Sequence, residues 1–205
     1  MSNPSITLYG LPLSGHCHRV ELLLRMLNLE FHYEVLSRLD VSSPAFLELN
    51  PLGQIPVLKD GDLVLTDSNA ILVYLATQYD RARTWYPADP VTAAKIQRWL
   101  SLAAGEVRFG PATARAIRIL SRPGDLGAAQ KIAERLLIFM DAHLVERAFL
   151  AHDAATIADL ACYAYVALAP EGGISLEPYP HIRAWLERIE ALPAFTAMPR
   201  SPQPA

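Results

Sequence analysis

The sequence contains only two cysteines, Cys17 and Cys162, among its 205 residues. Two thiols cannot form a disulfide framework, and unpaired cysteines are typical of a reducing compartment. The N-terminal residues MSNPS lead directly into the strand-like run ITLYG, without the charged and then apolar regions of an export signal. We therefore expect a cytoplasmic protein.

The sequence also lacks a long apolar run and a concentration of basic residues. Its longest apolar stretch, around ACYAYVALA, falls well short of the ~20 residues that a membrane-spanning helix needs. The 18 basic and 21 acidic residues are mixed along the chain, and the net charge is -3. These features predict neither a membrane nor nucleic acid as a partner. The 52% hydrophobic content is enough for a substantial core.

The pattern of apolar residues changes near residue 80. Up to that point, β-branched runs alternate with helical patterns in the order strand, helix, strand, helix, strand, strand, helix, which predicts a small α/β layer with mixed strand directions. The Asp60-Gly61 pair predicts a hairpin between the last two strands. Beyond it, apolar residues recur at helical spacing only, and the Gly110-Pro111 pair predicts a kink or break in the first long helix.

These patterns divide the chain into two expected domains. Residues 1–79 form the α/β unit, residues 80–88 a linker, and residues 89–198 an all-helical domain. The last residues, 199–205, read PRSPQPA and predict a disordered tail.

The stretch LSGHCHR, residues 13–19, places a hydroxyl, a thiol and two imidazoles close together. In a helix that begins within this stretch, His16, Cys17 and His18 point about 100° apart and cannot converge on a metal ion. Adjacent helical residues also do not face each other, which argues against a Cys–His nucleophile pair. We expect no metal site and interpret both histidines as solvent-facing. Ser14 and Cys17, three residues apart, share one face of the helix start.

Two motifs in the first half carry a family resemblance. NPLGQIPVL at residues 50–58 and LTDSNAIL at residues 65–72 strongly resemble the glutathione-binding half of cytosolic glutathione transferases. TIADL and YPHIRAWLERIEALPAF resemble the helical second domain of that family, so the resemblance covers almost the whole chain. It implies an α/β thioredoxin-like N-terminal domain, an all-α C-terminal domain, glutathione as co-substrate and a homodimer without a metal.

The resemblance also implies a glutathione site. A proline at the start of a strand can follow a cis peptide bond, and a helix start attracts an anion. By resemblance, Pro56 is cis, the main chain of Ile55 pairs with the glutathione cysteine, and Asp67 and Ser68 hold the γ-glutamyl end. Gln54 is expected at the glycyl end. The alternatives are that Asp67 or Ser68 only caps its helix and that Gln54 is a surface loop residue. The segment LDVSSPAF lacks the cation with which many relatives hold the glycyl carboxylate.

The catalytic hydroxyl implied by the resemblance is Ser14, as in serine-type transferases such as the zeta class. Cys17, one turn further, is interpreted as a packed thiol, with a redox thiol as the alternative. The resemblance places the electrophile pocket between the loop before Ser14 and the long helix after residue 89. Its candidate residues are Leu11 and Leu13 in the loop and Glu106, Arg108, Phe109 and Arg115 in the helix. The four helical residues could instead be ordinary interdomain or surface residues.

Together these residues predict a glutathione transferase that activates the glutathione thiol as a thiolate, for attack on a small hydrophobic electrophile in detoxification. One alternative is a glutathione-dependent isomerase of the zeta kind, or a thiol-disulfide reductase that uses Cys17. Another is a non-catalytic binding or assembly module with the transferase fold. The sequence does not identify the electrophile.

Overall fold

The computed structural model describes residues 6–199 and 201. Within these residues, four strands form one mixed sheet in the order β2-β1-β3-β4. They are β1 (Ile6–Gly10), β2 (Phe31–Val35), β3 (Val57–Asp60) and β4 (Leu63–Thr66). β1 and β2 are parallel, whereas β3 runs antiparallel to both β1 and β4. The predicted mixed α/β layer is confirmed, including the hairpin at Asp60-Gly61.

Helices account for the rest of the regular structure in the described part of the chain. In the first half they are α1 (Gly15–Met26), α2 (Pro44–Leu49) and α3 (Ser68–Gln78). In the second half they are α4 (Pro90–Leu102), α5 (Thr113–Leu120), α6 (Leu126–Leu144), α7 (Ile157–Ala167) and α8 (Pro180–Glu190). Short 3-10 turns lie at Asp40–Ser42 and Ala169–Gly172. None of these helices is long and apolar enough to cross a membrane. This arrangement is the predicted thioredoxin-like domain followed by an all-α domain.

Local sequence signals explain where several helices begin. Ser43 and Asp89 cap α2 and α4 with their side chains, and each is followed by a proline at the first helical position. A side-chain oxygen before the first turn accepts a backbone N–H that has no partner within the helix, and proline there has no N–H to satisfy. Thr156 and Asp159 form the predicted capping box at the start of α7.

The Gly110-Pro111 pair does not end the long helix. Instead, the helix widens between α4 and α5 into a π-helical segment, Ala103–Ala112. Proline lacks an N–H and its ring collides with the carbonyl four residues earlier, so the chain continues with wider turns. The carbonyl of Arg108 accepts the Thr113 backbone N–H and also the Thr113 hydroxyl, at 2.8 Å. The expected kink is therefore a change of helix width.

The buried apolar side chains of both halves form one continuous core. It includes Leu23 of α1, Leu72 of α3, Trp99 of α4 and Trp185 of α8, all at most 1% exposed. Helix α7 is buried along nearly its whole length and contacts both α1 and the π-helical segment. The start of α1 is thus held against the helical half.

Two outer segments are also anchored. Between α3 and α4, buried Asp80 accepts hydrogen bonds from Thr84 Oγ1 and the Trp85 N–H, and the Trp85 carbonyl accepts the N–H of Ile157. Near the C-terminus, the expectation of a disordered tail does not hold at Ser201, which is buried and hydrogen-bonded. Residues 200 and 202–205 of that predicted tail, like residues 1–5, lie outside the described residues.

We expect the carboxylate of Asp159 to be essential for stability. It is fully buried and accepts from the N–H groups of Leu150 and Thr156 and from Trp185 Nε1, each at 2.9 Å. Asp159→Ala leaves these buried donors unpaired, so we expect the free energy of unfolding to fall by about 3–5 kcal/mol. Chemical unfolding measures this, with exposed Asp153→Ala as the control. Equal stability of the two variants would contradict the expectation.

Candidate active site

The sheet register brings three chain segments to one edge. Tyr9, next to the last residue of β1, pairs with Val57, the first residue of β3. Val57 in turn pairs with Thr66, the last residue of β4. The loop that follows β1, the residues that precede β3 and the start of α3 therefore emerge side by side. All the proposed glutathione contacts lie on these three segments.

Ser14 lies at the end of the loop after β1 and caps α1. Its N–H donates to the carbonyl of Leu11 at 3.0 Å, which closes a turn, and its Oγ accepts the N–H of Cys17 at 3.4 Å. The side chain is half-buried. A hydroxyl that accepts one hydrogen bond still has its own hydrogen to donate. Ser14 therefore retains a hydrogen-bond donor at the start of α1.

The segment before β3 contains the cis peptide bond that the family resemblance implied. The Ile55–Pro56 peptide bond is cis. Ile55 lies outside the β1–β3 ladder, which begins at Val57. Gln54 is exposed, and its carbonyl accepts Nδ2 of buried Asn50 at 2.7 Å. Asn50 therefore holds the loop at Gln54 in place through this hydrogen bond, a role that the sequence analysis missed.

Asp67 and Ser68 lie at the start of α3 but face different surroundings. Asp67 is exposed, has a φ of 68°, and its Oδ1 accepts the N–H groups of Asn69 and Ala70 at 2.9 Å each. The alternative that Asp67 caps its helix is therefore correct as a structural statement. Ser68 is buried, and its Oγ accepts from Arg19 at 3.2 Å and lies 3.4 Å from Nδ1 of His16. The Ser68 hydroxyl faces α1.

Arg19 is a buried charge that the sequence analysis missed. It is 1% exposed, and its Nη1 donates to Ser68 Oγ and, at 2.8 Å, to Asn69 Oδ1. Asn69 Nδ2 continues the connection to the carbonyl of Leu100 in α4, at 2.9 Å. Burial lowers the pKa of the guanidinium. The signal was present, because Arg19 lies four residues before the buried Leu23 on the same helix face.

The interpretation of His16 and His18 as solvent-facing is wrong. His16 is half-buried, with its ring 5.0 Å from that of Tyr165 in an edge-on arrangement. Burial, and then the charges of Arg19 and Arg108, lower its pKa to about 3, so the imidazole is neutral. His18 is buried and donates from Nε2 to the carbonyl of Thr196 at 2.8 Å. Helix periodicity alone did not reveal that α7 and the C-terminal segment cover this side of α1.

Both cysteines are fully buried. Cys17 lies beneath Gly10, where an added Cβ would meet its sulfur at 2.6 Å, and beside the hydroxyl of Tyr33. Burial raises the Cys17 pKa, against the opposing effect of hydrogen bonds from Ser14, Leu11 and Tyr33. Burial also raises the pKa of Cys162, to about 12. The packing supports the interpretation of Cys17 as a packed thiol, since a redox thiol has to be reached by its substrate.

The candidate pocket residues separate into two groups. Leu11 and Leu13 lie half-buried in the turn before Ser14, and Phe109 is 54% exposed on the π-helical segment, with the Arg108 guanidinium 5.4 Å from its ring centre. The carboxylate of Glu106 instead faces α6, where its Oε1 lies 4.0 Å from Nη2 of Arg135.

Arg115, the remaining candidate, is held by protein groups. It is buried, and its guanidinium donates to three protein groups. Among residues 6–199 and 201, no cluster of three histidine, cysteine or acidic side chains is arranged to hold a metal ion.

The sheet, the helical second half and the grouping around Ser14 define a thioredoxin-like protein with a hydroxyl at the start of its first helix. Two family models match this chain. Residues 8–83 match "Glutathione S-transferase, N-terminal domain", and residues 124–193 match "Glutathione S-transferase, C-terminal domain". The chain belongs to the glutathione S-transferase family.

Individual relatives match over most of their length. Glutathione S-transferase 3 of Zea mays is 36% identical over 222 residues, covering 98% of this chain and 97% of the relative. A crystal structure of a glutathione S-transferase from Pseudomonas fluorescens superposes with a TM-score of 0.88 at 31% identity, covering 94% and 98% of the two chains. A glutathione transferase homologue from Drosophila mojavensis, solved with bound glutathione, gives a TM-score of 0.81 at 27% identity, covering 93% and 89%.

We expect neither cysteine to react in the folded protein. Both thiols are buried and both pKa values are raised, so neither presents a thiolate at neutral pH. An aromatic disulfide reagent should therefore give no fast colour change with native protein and should detect both thiols after unfolding. Cys17→Ala should reduce the number of thiols detected after unfolding from two to one. It should leave the absence of a fast reaction in the native protein unchanged. Fast reaction of Cys17 in the native protein would restore the reductase alternative.

Proposed function

We propose that this protein is a glutathione transferase in which Ser14 stabilises the glutathione thiolate. The observation that carries the proposal is the position of the Ser14 hydroxyl at the first turn of α1, on the same sheet edge as the Ile55–Pro56 segment and the start of α3. The thiol loses its proton to solvent, and the sulfur then forms a bond to an electrophilic carbon. Either a leaving group departs from that carbon with the bonding electrons, or the π bond or a ring bond at that carbon breaks and the resulting anion takes a proton from solvent.

Most of the rate enhancement must come from positioning the electrophile against the sulfur rather than from the acidity of the thiol. A thiol with a pKa of ~8.5 is only a few per cent ionised at neutral pH. A hydrogen bond from Ser14 and the positive end of α1 could lower this pKa by ~2 units, worth roughly 2.7 kcal/mol. Ionisation then rises, but a less basic thiolate is also less nucleophilic, so the net gain from acidity is only a few-fold. Holding the electrophile against the sulfur supplies the rest.

The glutathione contacts follow from the exposed groups on the three segments. The main chain of Ile55 pairs with the cysteinyl residue of glutathione, and Gln54 reaches its glycyl end. The charge of Asp67 compensates the γ-glutamyl ammonium, since the carboxylate caps α3 through one oxygen only. The γ-glutamyl carboxylate binds at the start of α3. Because Arg19 and His16 already engage the Ser68 hydroxyl, Ser68 contributes chiefly through its backbone N–H.

The proposal includes the assembly and location that the family resemblance implies. We propose a cytoplasmic homodimer that acts on small hydrophobic electrophiles, with Leu11, Leu13 and Phe109 beside the sulfur. The ring of Phe109 is 54% exposed and lies 5.4 Å from the Arg108 guanidinium, so it offers an apolar surface on the π-helical segment. Family membership supports the assembly, and the half-exposed apolar residues support the substrate class.

We expect Asp67 to hold glutathione by its charge. Asp67→Asn keeps a side-chain cap for α3 and tolerates the positive φ, but it removes the charge that faces the ammonium. The dissociation constant of glutathione, measured by calorimetry, should rise about 10-fold or more, while the melting temperature without ligand changes little. An unchanged dissociation constant would show that Asp67 is only a cap. Failure of the unaltered protein to bind millimolar glutathione would favour the non-catalytic module.

We expect Ser14→Ala to raise the pKa of bound glutathione. It removes one hydrogen bond to a charged sulfur, which corresponds to about one to two pKa units. The thiolate fraction at neutral pH then falls, and the rate profile moves to higher pH. Ultraviolet titration of the thiolate measures the shift, and Ser14→Thr, which keeps both hydroxyl and cap, should restore most of it. An unchanged pKa in Ser14→Ala would contradict the proposed role.

A further inference from the structure

Arg115 connects four segments of the chain. It lies in α5, is 2% exposed, and donates from Nη1 to the carbonyl of Leu13 at 2.9 Å. Its Nε donates to Glu171 Oε2 at 2.6 Å, and its Nη2 donates to Ser201 Oγ at 2.9 Å. The other carboxylate oxygen of Glu171 accepts the Ser201 N–H at 3.2 Å. We call Arg115, Glu171 and Ser201 the arginine clamp.

We propose that Arg115 is a positioning residue for Ser14, acting through the carbonyl of Leu13. This inference rests on the proposed function of Ser14. The carbonyl of Leu13 and the N–H of Ser14 belong to one planar peptide group. Arg115 binds that carbonyl, and the Leu11 carbonyl accepts that N–H at 3.0 Å. The peptide plane is held at both ends, which fixes the Cα of Ser14 and hence the direction of its hydroxyl.

The geometry of the guanidinium explains why an arginine is needed here. A planar guanidinium presents donors in three fixed directions, whereas a lysine ammonium is one compact charge on a flexible stem. Leu13, Glu171 and Ser201 occupy those three directions. Arg115 is therefore buried and committed to protein partners rather than to a ligand. This separates its role from the pocket role that the sequence suggested.

The remaining clamp residues hold Arg115 in place. Glu171 belongs to the 3-10 turn Ala169–Gly172, which packs tightly on α5, since a Cβ on Gly172 would lie 2.9 Å from the Arg115 backbone nitrogen. The Glu171 side chain is mostly buried, so its ion pair with Arg115 is poorly screened by solvent. Ser201 hydrogen-bonds to both partners. A segment near the C-terminus thereby takes part in fixing the loop before Ser14.

Loosening the clamp should affect thiolate stabilisation and leave glutathione binding nearly unchanged. The proposed γ-glutamyl anchor lies on α3, which Arg19 ties to α1 independently of Arg115. A small displacement of a catalytic group can reduce a rate by up to about 100-fold. A change in kcat and in the bound thiol pKa, without a change in the Michaelis constant for glutathione, is therefore the signature of this role.

The test uses Arg115→Lys, which keeps the charge opposite Glu171 but cannot reach three acceptors at once. We expect the pKa of bound glutathione to rise by about half a unit or more, kcat at neutral pH to fall several-fold, and the Michaelis constant for glutathione to stay within about twofold. Arg188→Lys is the matched control, because Arg188 also donates to a backbone carbonyl, that of Ala148, but within the helical half. It should change none of these values.

A double-mutant cycle with Ser14→Ala decides whether Arg115 acts through Ser14. If it does, Arg115→Lys shifts the thiol pKa in the unaltered protein but not in the Ser14→Ala background. Equal shifts in both backgrounds, or no shift in a folded Arg115→Lys, would overturn the inference. If Arg115→Lys does not fold, Ser201→Ala takes its place in the cycle, because it keeps the ion pair between Arg115 and Glu171. The same two outcomes then decide the inference. If the unaltered protein itself leaves the pKa of glutathione at its solution value, the proposed function fails first.

Discussion

The antiparallel pairing of β3 with β1 and with β4 is the constraint on which the candidate site depends. It places the end of β1, the start of β3 and the end of β4 at one edge of the sheet. Since side chains alternate strictly along a strand, a slip of β3 by one residue against β1 would turn buried Leu58 outward and shift the three segments relative to one another. The site is thus a consequence of sheet register before it is a consequence of any single side chain.

Two buried arginines then connect this edge to the helical half. Arg19 ties the start of α1 to the start of α3, and Asn69 extends the connection to α4. Arg115 ties α5 to the loop before Ser14. All three side-chain nitrogens of Arg115 donate to protein acceptors, whereas Arg19 donates through Nη1 and its Nε and Nη2 have no hydrogen-bond partner among the described residues. Because hydrogen bonds depend on direction, each connection is directional in a way that the surrounding apolar core is not. The core holds the halves together, and the arginines determine their alignment at the site.

Much of this architecture is encoded in local sequence. Ser43-Pro44 and Asp89-Pro90 mark helix starts, and Asp60-Gly61 marks the hairpin, because caps and turns act over a few residues. The Ile55–Pro56 segment was predictable from the family resemblance. Contacts between distant segments were not predictable in this way. The burial of His18 depends on a carbonyl 178 residues away, and the ordering of Ser201 depends on Arg115, 86 residues earlier. Helix periodicity contains no information about such partners.

The π-helical segment determines the direction in which the side chains of α5 point, because α5 follows it without a break. Successive residues of an α-helix are rotated by about 100°, so the number of residues between α4 and α5 fixes the direction in which α5 presents its side chains. Removing one residue from Ala103–Ala112 would turn Arg115 away from the carbonyl of Leu13, even if every other residue were kept. In this family member, the length of that segment is as much a part of the site as the identity of its residues.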